Sequence, residues 1–286
     1  MVNLATDPPQ KNKNLFGQLW SRISIPWLIT VIYLLLILLL PITALVTKSL
    51  TLGWSTFWEI ATGPIALSAY NVTFITALGA GIINGILGSI VAWVLVRYQF
   101  PGKRLIDAAV DLPFALPTSV AGLVLATVYS DKGWIGGLFA PFGIKIAFTR
   151  WGVFVAMLFI SLPFVVRTLQ PVLQELESES EEAAWSLGAT EWQTFWRVIF
   201  PPLIPPILTG IALGFSRAVG EYGSVVLVAS NIPFQDLIAP VLVFQYLEEY
   251  NYEGATVIGA VLLFVSLILL LMINLLQQWG RRYATD

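Results

Sequence analysis

The chain has 286 residues and carries 15 Lys+Arg against 17 Asp+Glu, so charged residues make up 11% of it, less than half the ~25% of a soluble domain. With 57% hydrophobic residues and a mean hydropathy of +0.80, it is neither a disordered segment nor a protein that holds nucleic acid through basic charge. Cysteine and histidine are both absent, which excludes metal sites ligated by them, thiol nucleophiles and any Ser-His-Asp triad. No cofactor is expected.

A helix needs about 20 apolar residues to cross a bilayer, so the uncharged runs are the elements to read. They comprise 25 residues between Arg22 and Lys48, 37 between Glu59 and Arg97, 19 between Asp111 and Asp131, 16 between Arg150 and Arg167, 19 between Arg197 and Arg217, and 27 between Glu253 and Arg281. They predict an all-α, polytopic membrane protein with six transmembrane helices, at about 27–47, 69–96, 106–129, 151–170, 204–229 and 255–278. Residues 1–25 read as a polar tail and 26–282 as one membrane domain, with an ordered loop at 172–202. The fourth run is short, but Arg167 at its end can snorkel. The first is too long for a signal-peptide core and is read as an uncleaved anchor.

An even number of spans places both termini on one side. That side then holds ten basic residues: Lys11, Lys13, Arg22, Arg97, Lys103, Arg104, Arg167, Arg197, Arg281 and Arg282. The other holds four, Lys48, Lys132, Lys145 and Arg150. The positive-inside rule therefore expects both termini of this multi-pass chain in the cytoplasm.

Small residues at four-residue spacing let helices approach closely in lipid. Ala77, Gly81, Gly85 and Ser89 form one such stripe and Gly210, Gly214 and Ala218 another; ordinary helix contacts are the simplest reading, a subunit interface or pore lining the alternative. The third span contains Pro113 and Pro117, which each remove a backbone donor and kink a helix. Freed carbonyls at membrane depth need protein or a water-filled cavity around them, and Thr118 and Ser119 supply hydroxyls there. This broken segment reads either as a structural kink or as part of a translocation path.

The fifth span contains Arg217 and Glu221. Each charge costs about 2.5–3.5 kcal/mol at a helix centre on insertion scales, so neither faces lipid alone, and the four-residue spacing lets them pair. A buried structural pair and a pore-facing group both remain open on this reading.

The stretch from Glu175 to Pro202 is the most informative. Ser178 with Glu181 reads as a capping box opening a helix at about 179–187, and Gly188 suits the left-handed residue that closes it. Thr190 with Gln193 is a second box, predicting a helix at about 191–199 stopped by Pro201 and Pro202. Within this hairpin, Glu182-Ala183-Ala184, three residues and Gly188, followed by Val198 and Phe200-Pro201, resemble the EAA motif of binding-protein-dependent ABC importer permeases of type I. Val198 and Phe200 are mild departures. The segment from Phe215 to Pro233, together with Leu112–Leu123 and Tyr129–Trp134, is similar to the sulfate/thiosulfate permease T subunits of that family; molybdate permeases share a related Arg-Ala-x-Gly-Glu-x-Gly segment.

The resemblance implies a type I permease core whose loop is the coupling element for an ATPase, through Glu181, Glu182, Ala183, Ala184, Gly188 and Ala189. It also implies a translocation path or gate around Pro113, Pro117, Thr118, Ser119, Arg217, Glu221, Tyr222, Ser224, Ser230 and Asn231. The implied partners are two ATPase subunits, a second related permease subunit and a periplasmic sulfate-binding protein. The chain itself has no Gly-x-x-x-x-Gly-Lys-Ser/Thr sequence, so no catalytic residue is assigned and hydrolysis falls to the partner. The outer loops carry Glu59, Asp131, Asp236, Glu248, Glu249 and Glu253 against four basic residues. Such a surface does not steer a dianion inward, which fits capture by a separate binding protein. An ATP-independent anion transporter or channel, and a purely structural membrane subunit, are the alternatives from other classes.

Overall fold

The structure is a computed structural model and describes residues 25–176 and 178–283. The expected polar tail lies outside the described residues, save for Ile25. The chain divides into two units, Met1–Thr51 and Leu52–Asp286. The described part of the first unit is one 27-residue apolar helix, α1 (Ile25–Thr51), about 40 Å long at 1.5 Å per residue.

The second unit runs through α2 (Trp54–Ala61), α3 (Pro64–Arg97), α4 (Lys103–Val110), α5 (Leu112–Ala115), α6 (Thr118–Tyr129), α7 (Gly136–Phe139), α8 (Arg150–Glu175) and α9 (Ser178–Ser186). It continues with α10 (Glu191–Val219), α11 (Val225–Val228), α12 (Ala239–Glu248) and α13 (Tyr252–Tyr283).

Helices α3, α8 and α10 form the centre of this unit. The buried face of α3 includes Ala66, Ala69, Thr73, Ala77, Ala80, Gly81, Asn84, Gly85, Gly88 and Ala92, a small-residue stripe at helical spacing. A Cβ on Gly210 of α10 would lie 2.7 Å from the Val165 Cα of α8, and one on Gly88 would lie 3.0 Å from the Val165 Cβ. The small residues are therefore spent on helix contacts inside one subunit, with Ser89 only half-buried. Across the α3–α8 seam, Asn84 Nδ2 donates to Ser161 Oγ and to the Leu158 carbonyl, both at 2.8 Å.

Among the described residues, five helices are long and apolar enough to cross a bilayer: α1, α3, α8, α10 and the Tyr252–Leu275 portion of α13. The expected third span at 106–129 is not one helix. Asp111 closes α4, Leu116 and Pro117 are extended (ψ 135° and 133°), and α6 starts afresh at Thr118. A residue before proline is pushed out of the helical region, so Pro117 breaks the helix rather than bending it. The 12 residues of α6 reach only about 18 Å, short of a ~30 Å hydrocarbon core.

Two further expectations are corrected. The expected fifth span at 204–229 stops at Val219, where the chain turns at Gly220. The expected helix at 191–199 does not stop at Pro201; it continues through Pro201, Pro202, Pro205 and Pro206 as α10. The cause is a π turn at Phe195–Ile199, where the Phe200 N–H reaches the Phe195 carbonyl five residues back. The widened turn gives the following proline ring the room that an α turn denies it. The same device precedes Pro41 in α1, where Leu40 bonds to Leu35.

Candidate functional site: the coupling hairpin and the loop after helix 10

The hairpin between α8 and α10 is closed by its own backbone. Gly188 has φ +84°, the Gly188 N–H donates to the Trp185 carbonyl at 2.9 Å and the Ala189 N–H to the Ala184 carbonyl at 3.0 Å. These two bonds make a Schellman motif, which satisfies the last carbonyls of α9. The second capping box is present: the Gln193 N–H donates to Thr190 Oγ1 at 3.3 Å and the Thr190 N–H to Gln193 Oε1 at 3.0 Å. The Ser178 side chain of the first expected box lies outside the described residues. Glu182, Ala183, Trp185 and Leu187 are exposed, and Ala184 and Ala189 half-buried. The hairpin therefore presents small and apolar groups at its tip.

Glu181 is the exception. Its Oε1 sits 2.5 Å from Arg97 Nη2 at the last residue of α3. The Arg97 guanidinium lies 5.1 Å from the Trp93 ring centroid, and Trp93 meets Phe195 edge-on at 5.8 Å. Trp192, Trp196 and Phe200 extend this aromatic cluster along α10. The hairpin is thus tied to α3 through an ion pair and continues directly into α10. In the sequence Arg97 stands out only as an orienting charge, because its partner lies 84 positions away.

At the same end of α8, Arg167 does not snorkel. Its Nη2 and Nε bind both oxygens of Asp111 at 2.6 and 2.8 Å, and its Nη1 binds Asp107 Oδ1 at 2.7 Å. The guanidinium therefore holds the broken segment α4–α5 against α8. The Gln170 amide first, and Arg167 second, hold the Asp107 carboxyl below the usual carboxylate range.

The second cluster follows α10. Arg217 Nη1 lies 2.7 Å from Glu221 Oε2. The other carboxylate oxygen of Glu221 accepts from the Ser224 N–H at 2.8 Å and the Ser224 hydroxyl at 2.9 Å. Glu221 is 2% exposed and has acceptors committed on both oxygens, whereas the Arg217 side chain keeps 35% of its surface. The carboxylate thus caps the turn that leads into α11.

This turn crosses the start of α6. A Cβ on Gly122 would lie 2.5 Å from the Ser224 carbonyl, and one on Gly223 would overlap Thr118 Oγ1 and lie 3.4 Å from the Ser119 N–H. The structure therefore brings Pro117, Thr118 and Ser119 together with Arg217, Glu221, Tyr222 and Ser224. Within the group, Pro117 and Ser119 are exposed, Thr118 and Tyr222 are half-buried, and Ser224 is fully buried. Tyr222 packs on Phe244 at 4.9 Å. Pro113 is buried in α5 and faces no open surface.

Ser230 and Asn231 belong to a further turn. The Ser230 N–H and hydroxyl donate to Asp236 at 2.6 and 2.7 Å, and the Ile232 N–H at 3.1 Å. Asn231 occupies the left-handed region at φ +58° and donates to the Val226 carbonyl at 2.8 Å. Asp236, expected on an exposed outer loop, is 0% exposed. Ser230 and Asp236 are six positions apart, and no simple periodicity announces that pairing. Arg150 fastens the loop from outside, its guanidinium donating to the Gln235 carbonyl and, at 3.0 Å, to the Phe234 carbonyl.

Residues 84–282 match the family model described as the binding-protein-dependent transport system inner membrane component. The chain is 77% identical to the sulfate transport system permease protein CysT of Synechocystis sp. over 285 residues, covering 100% of this chain and 99% of that one. It is 63% identical to the corresponding protein of Synechococcus elongatus, with 92% and 95% covered, and 63% identical to the probable sulfate permease cysT of Chlorokybus atmophyticus, with 96% and 97% covered. Among solved structures, a chain of a bacterial ABC transporter that imports alginate superposes with a TM-score of 0.72 at 16% identity, covering 91% of this chain and 98% of that one. A chain of the MetNI methionine transporter, in an inward-facing form, gives 0.53 at 20% identity, with 82% and 100% covered. A helical membrane unit with a hairpin closed at Gly188, matched over most of its length by such proteins, belongs to the family of binding-protein-dependent transport system inner membrane components.

Proposed function

We propose that this chain is the membrane-spanning permease subunit of an ATP-driven importer for sulfate, forming half of the translocation pore. The observation that carries the substrate is the 77% identity to a sulfate permease over the whole chain. The closed EAA hairpin with its tie to α3 supports the coupling role. The proposed assembly contains two ATPase subunits, a second related permease subunit and a periplasmic sulfate-binding protein. Both termini lie in the cytoplasm, on the side of the hairpin.

In this reading the exposed Ala183, Trp185 and Leu187 seat the hairpin on the ATPase, and ATP-driven closure moves it. Motion then enters the membrane by two routes, the Glu181–Arg97 pair into α3 and the continuous backbone of α10. The turn Glu221–Ser224, held against α6, is the gate region. Because Glu221 neutralises Arg217, the path offers sulfate a weak contact, which conduction favours over tight binding.

The test is reconstitution of the complex in proteoliposomes with its binding protein. Radiolabelled sulfate uptake should require ATP and be competed by thiosulfate more strongly than by molybdate. Uptake driven by an ion gradient without the ATPase would replace this reading with a secondary transporter.

A further inference from the structure

The end of the unit that carries the coupling hairpin also holds a cavity of about 510 Å³ between the end of α3, α4 and the last turns of α8, whose polar walls are Gln99, Lys103, Arg104, Asp107, Gln170 and Gln174. Its charge balance is one-sided. Asp107 is the one acid on the wall, and its Oδ1 already accepts from Arg167 at 2.7 Å and Gln170 at 2.9 Å. Lys103 gives a single bond to the Tyr98 carbonyl at 3.0 Å, one of the three that an ammonium can donate. Arg104, Gln99 and Gln174 are exposed. Directly beside the two cations, Leu105 and Ile106 of α4 are exposed as well. A short helix with apolar and basic faces is suited to the membrane surface.

We infer that this cavity is a binding site for a tetrahedral oxyanion, with Lys103 and Arg104 neutralising the charge and the amides of Gln99 and Gln174 donating to its oxygens. The ligand is the phosphodiester of an anionic lipid in the cytoplasmic leaflet or a free inorganic oxyanion; the chemistry of recognition is the same. The adjoining Leu105 and Ile106 supply contact for acyl chains in the first case. The site stands apart from the hairpin tip and from the Arg217–Glu221 turn, and uses none of their residues. It rests on the proposed orientation only in placing the cavity at the cytoplasmic leaflet.

The test uses the assembled importer. Native mass spectrometry of the complex purified from membranes containing phosphatidylglycerol should show retained phosphatidylglycerol. Lys103→Ala with Arg104→Ala should weaken retention about 25-fold, at roughly 1 kcal/mol per basic residue near a membrane surface. In a second arm, inorganic phosphate is titrated calorimetrically into the complex in phosphatidylcholine nanodiscs. Phosphate binding that the double variant abolishes, without lipid retention, assigns the site to a soluble oxyanion. If the charge variant does not assemble, Gln99→Leu with Gln174→Leu keeps both cations and should still weaken binding at least threefold, by about one hydrogen bond. Equal retention and equal phosphate binding in wild type and variant overturns the site. Neither readout depends on sulfate uptake, so a negative result here leaves the transport reading untouched.

Discussion

Arg97 and Glu181 join two positions 84 apart in the sequence, the last residue of α3 and the first helix of the hairpin between α8 and α10, with 2.5 Å between nitrogen and oxygen. Their side chains are 25% and 14% exposed, so water screens the pair only in part. The pair ties the first helix of the hairpin to α3, beside the ring contact of Trp93 with Phe195.

Arg97→Glu or Glu181→Arg alone places like charges in contact and should lower substrate-stimulated ATPase activity about tenfold, equivalent to roughly 1.4 kcal/mol. Combining the two restores opposite charges and should recover most of the activity. A double variant no better than either single would show that the pair does not transmit motion.

Gly188 has open space where a Cβ would stand, so its constraint is conformational, set by φ +84°. Left-handed backbone costs a branched residue ~1–2 kcal/mol, and Asn much less. Gly188→Val should therefore insert normally yet lose most of its coupled ATPase activity, with Gly188→Asp intermediate and Gly188→Asn close to wild type. Equal activity of the Val and Asn variants would move the role of this glycine from its backbone to its lack of a side chain.

What could be read from residue order alone follows from range. The Schellman closure at Gly188 and the capping box at Thr190 are local, built from residues within five positions, and both were legible. So was the Arg217–Glu221 pair, one helical turn apart. The contacts of Arg97 with Glu181, Arg167 with Asp107 and Asp111, and Ser230 with Asp236 depend on how distant or irregular segments meet, which no spacing rule encodes. The prolines act in two opposite ways. Pro117 ends a helix because Leu116 becomes extended before it, whereas Pro201 continues one because a π turn makes room.

The Arg217–Glu221 pair separates charge from capping. Arg217→Ala leaves the 2%-exposed Glu221 carboxylate without its cation. Loss of a partner from a fully buried pair costs ~3–5 kcal/mol; because Arg217 retains surface, about 2 kcal/mol is expected. Adding Glu221→Gln removes the stranded charge and keeps an acceptor for the Ser224 N–H and hydroxyl, so this double variant should regain thermal stability. Arg217→Ala with Glu221→Ala should not, because the turn into α11 loses its cap. Equal melting temperatures for the two double variants would mean that Glu221 serves only the arginine.

The contact between the 221–224 turn and α6 can be tested through its two glycines, which differ in what opposes them. A Cβ at Gly122 meets backbone, the Ser224 carbonyl at 2.5 Å and Cα at 2.7 Å, whereas at Gly223 the main obstacle is the Thr118 hydroxyl. Overpacking of this kind costs about 1–3 kcal/mol. Both Gly122→Ala and Gly223→Ala should lower the melting temperature of the complex and reduce sulfate uptake. Thr118→Ala should rescue Gly223→Ala in part, since the Thr118 Cβ still lies 3.0 Å away, and should do nothing for Gly122→Ala, where no side chain can yield. Rescue of both variants, or of neither, would show that the turn does not bear on α6 through Thr118. Selective rescue of Gly223→Ala in uptake as well as in melting temperature would tie the closeness of these two segments to transport, because a contact that mattered only for folding would restore stability without restoring flux.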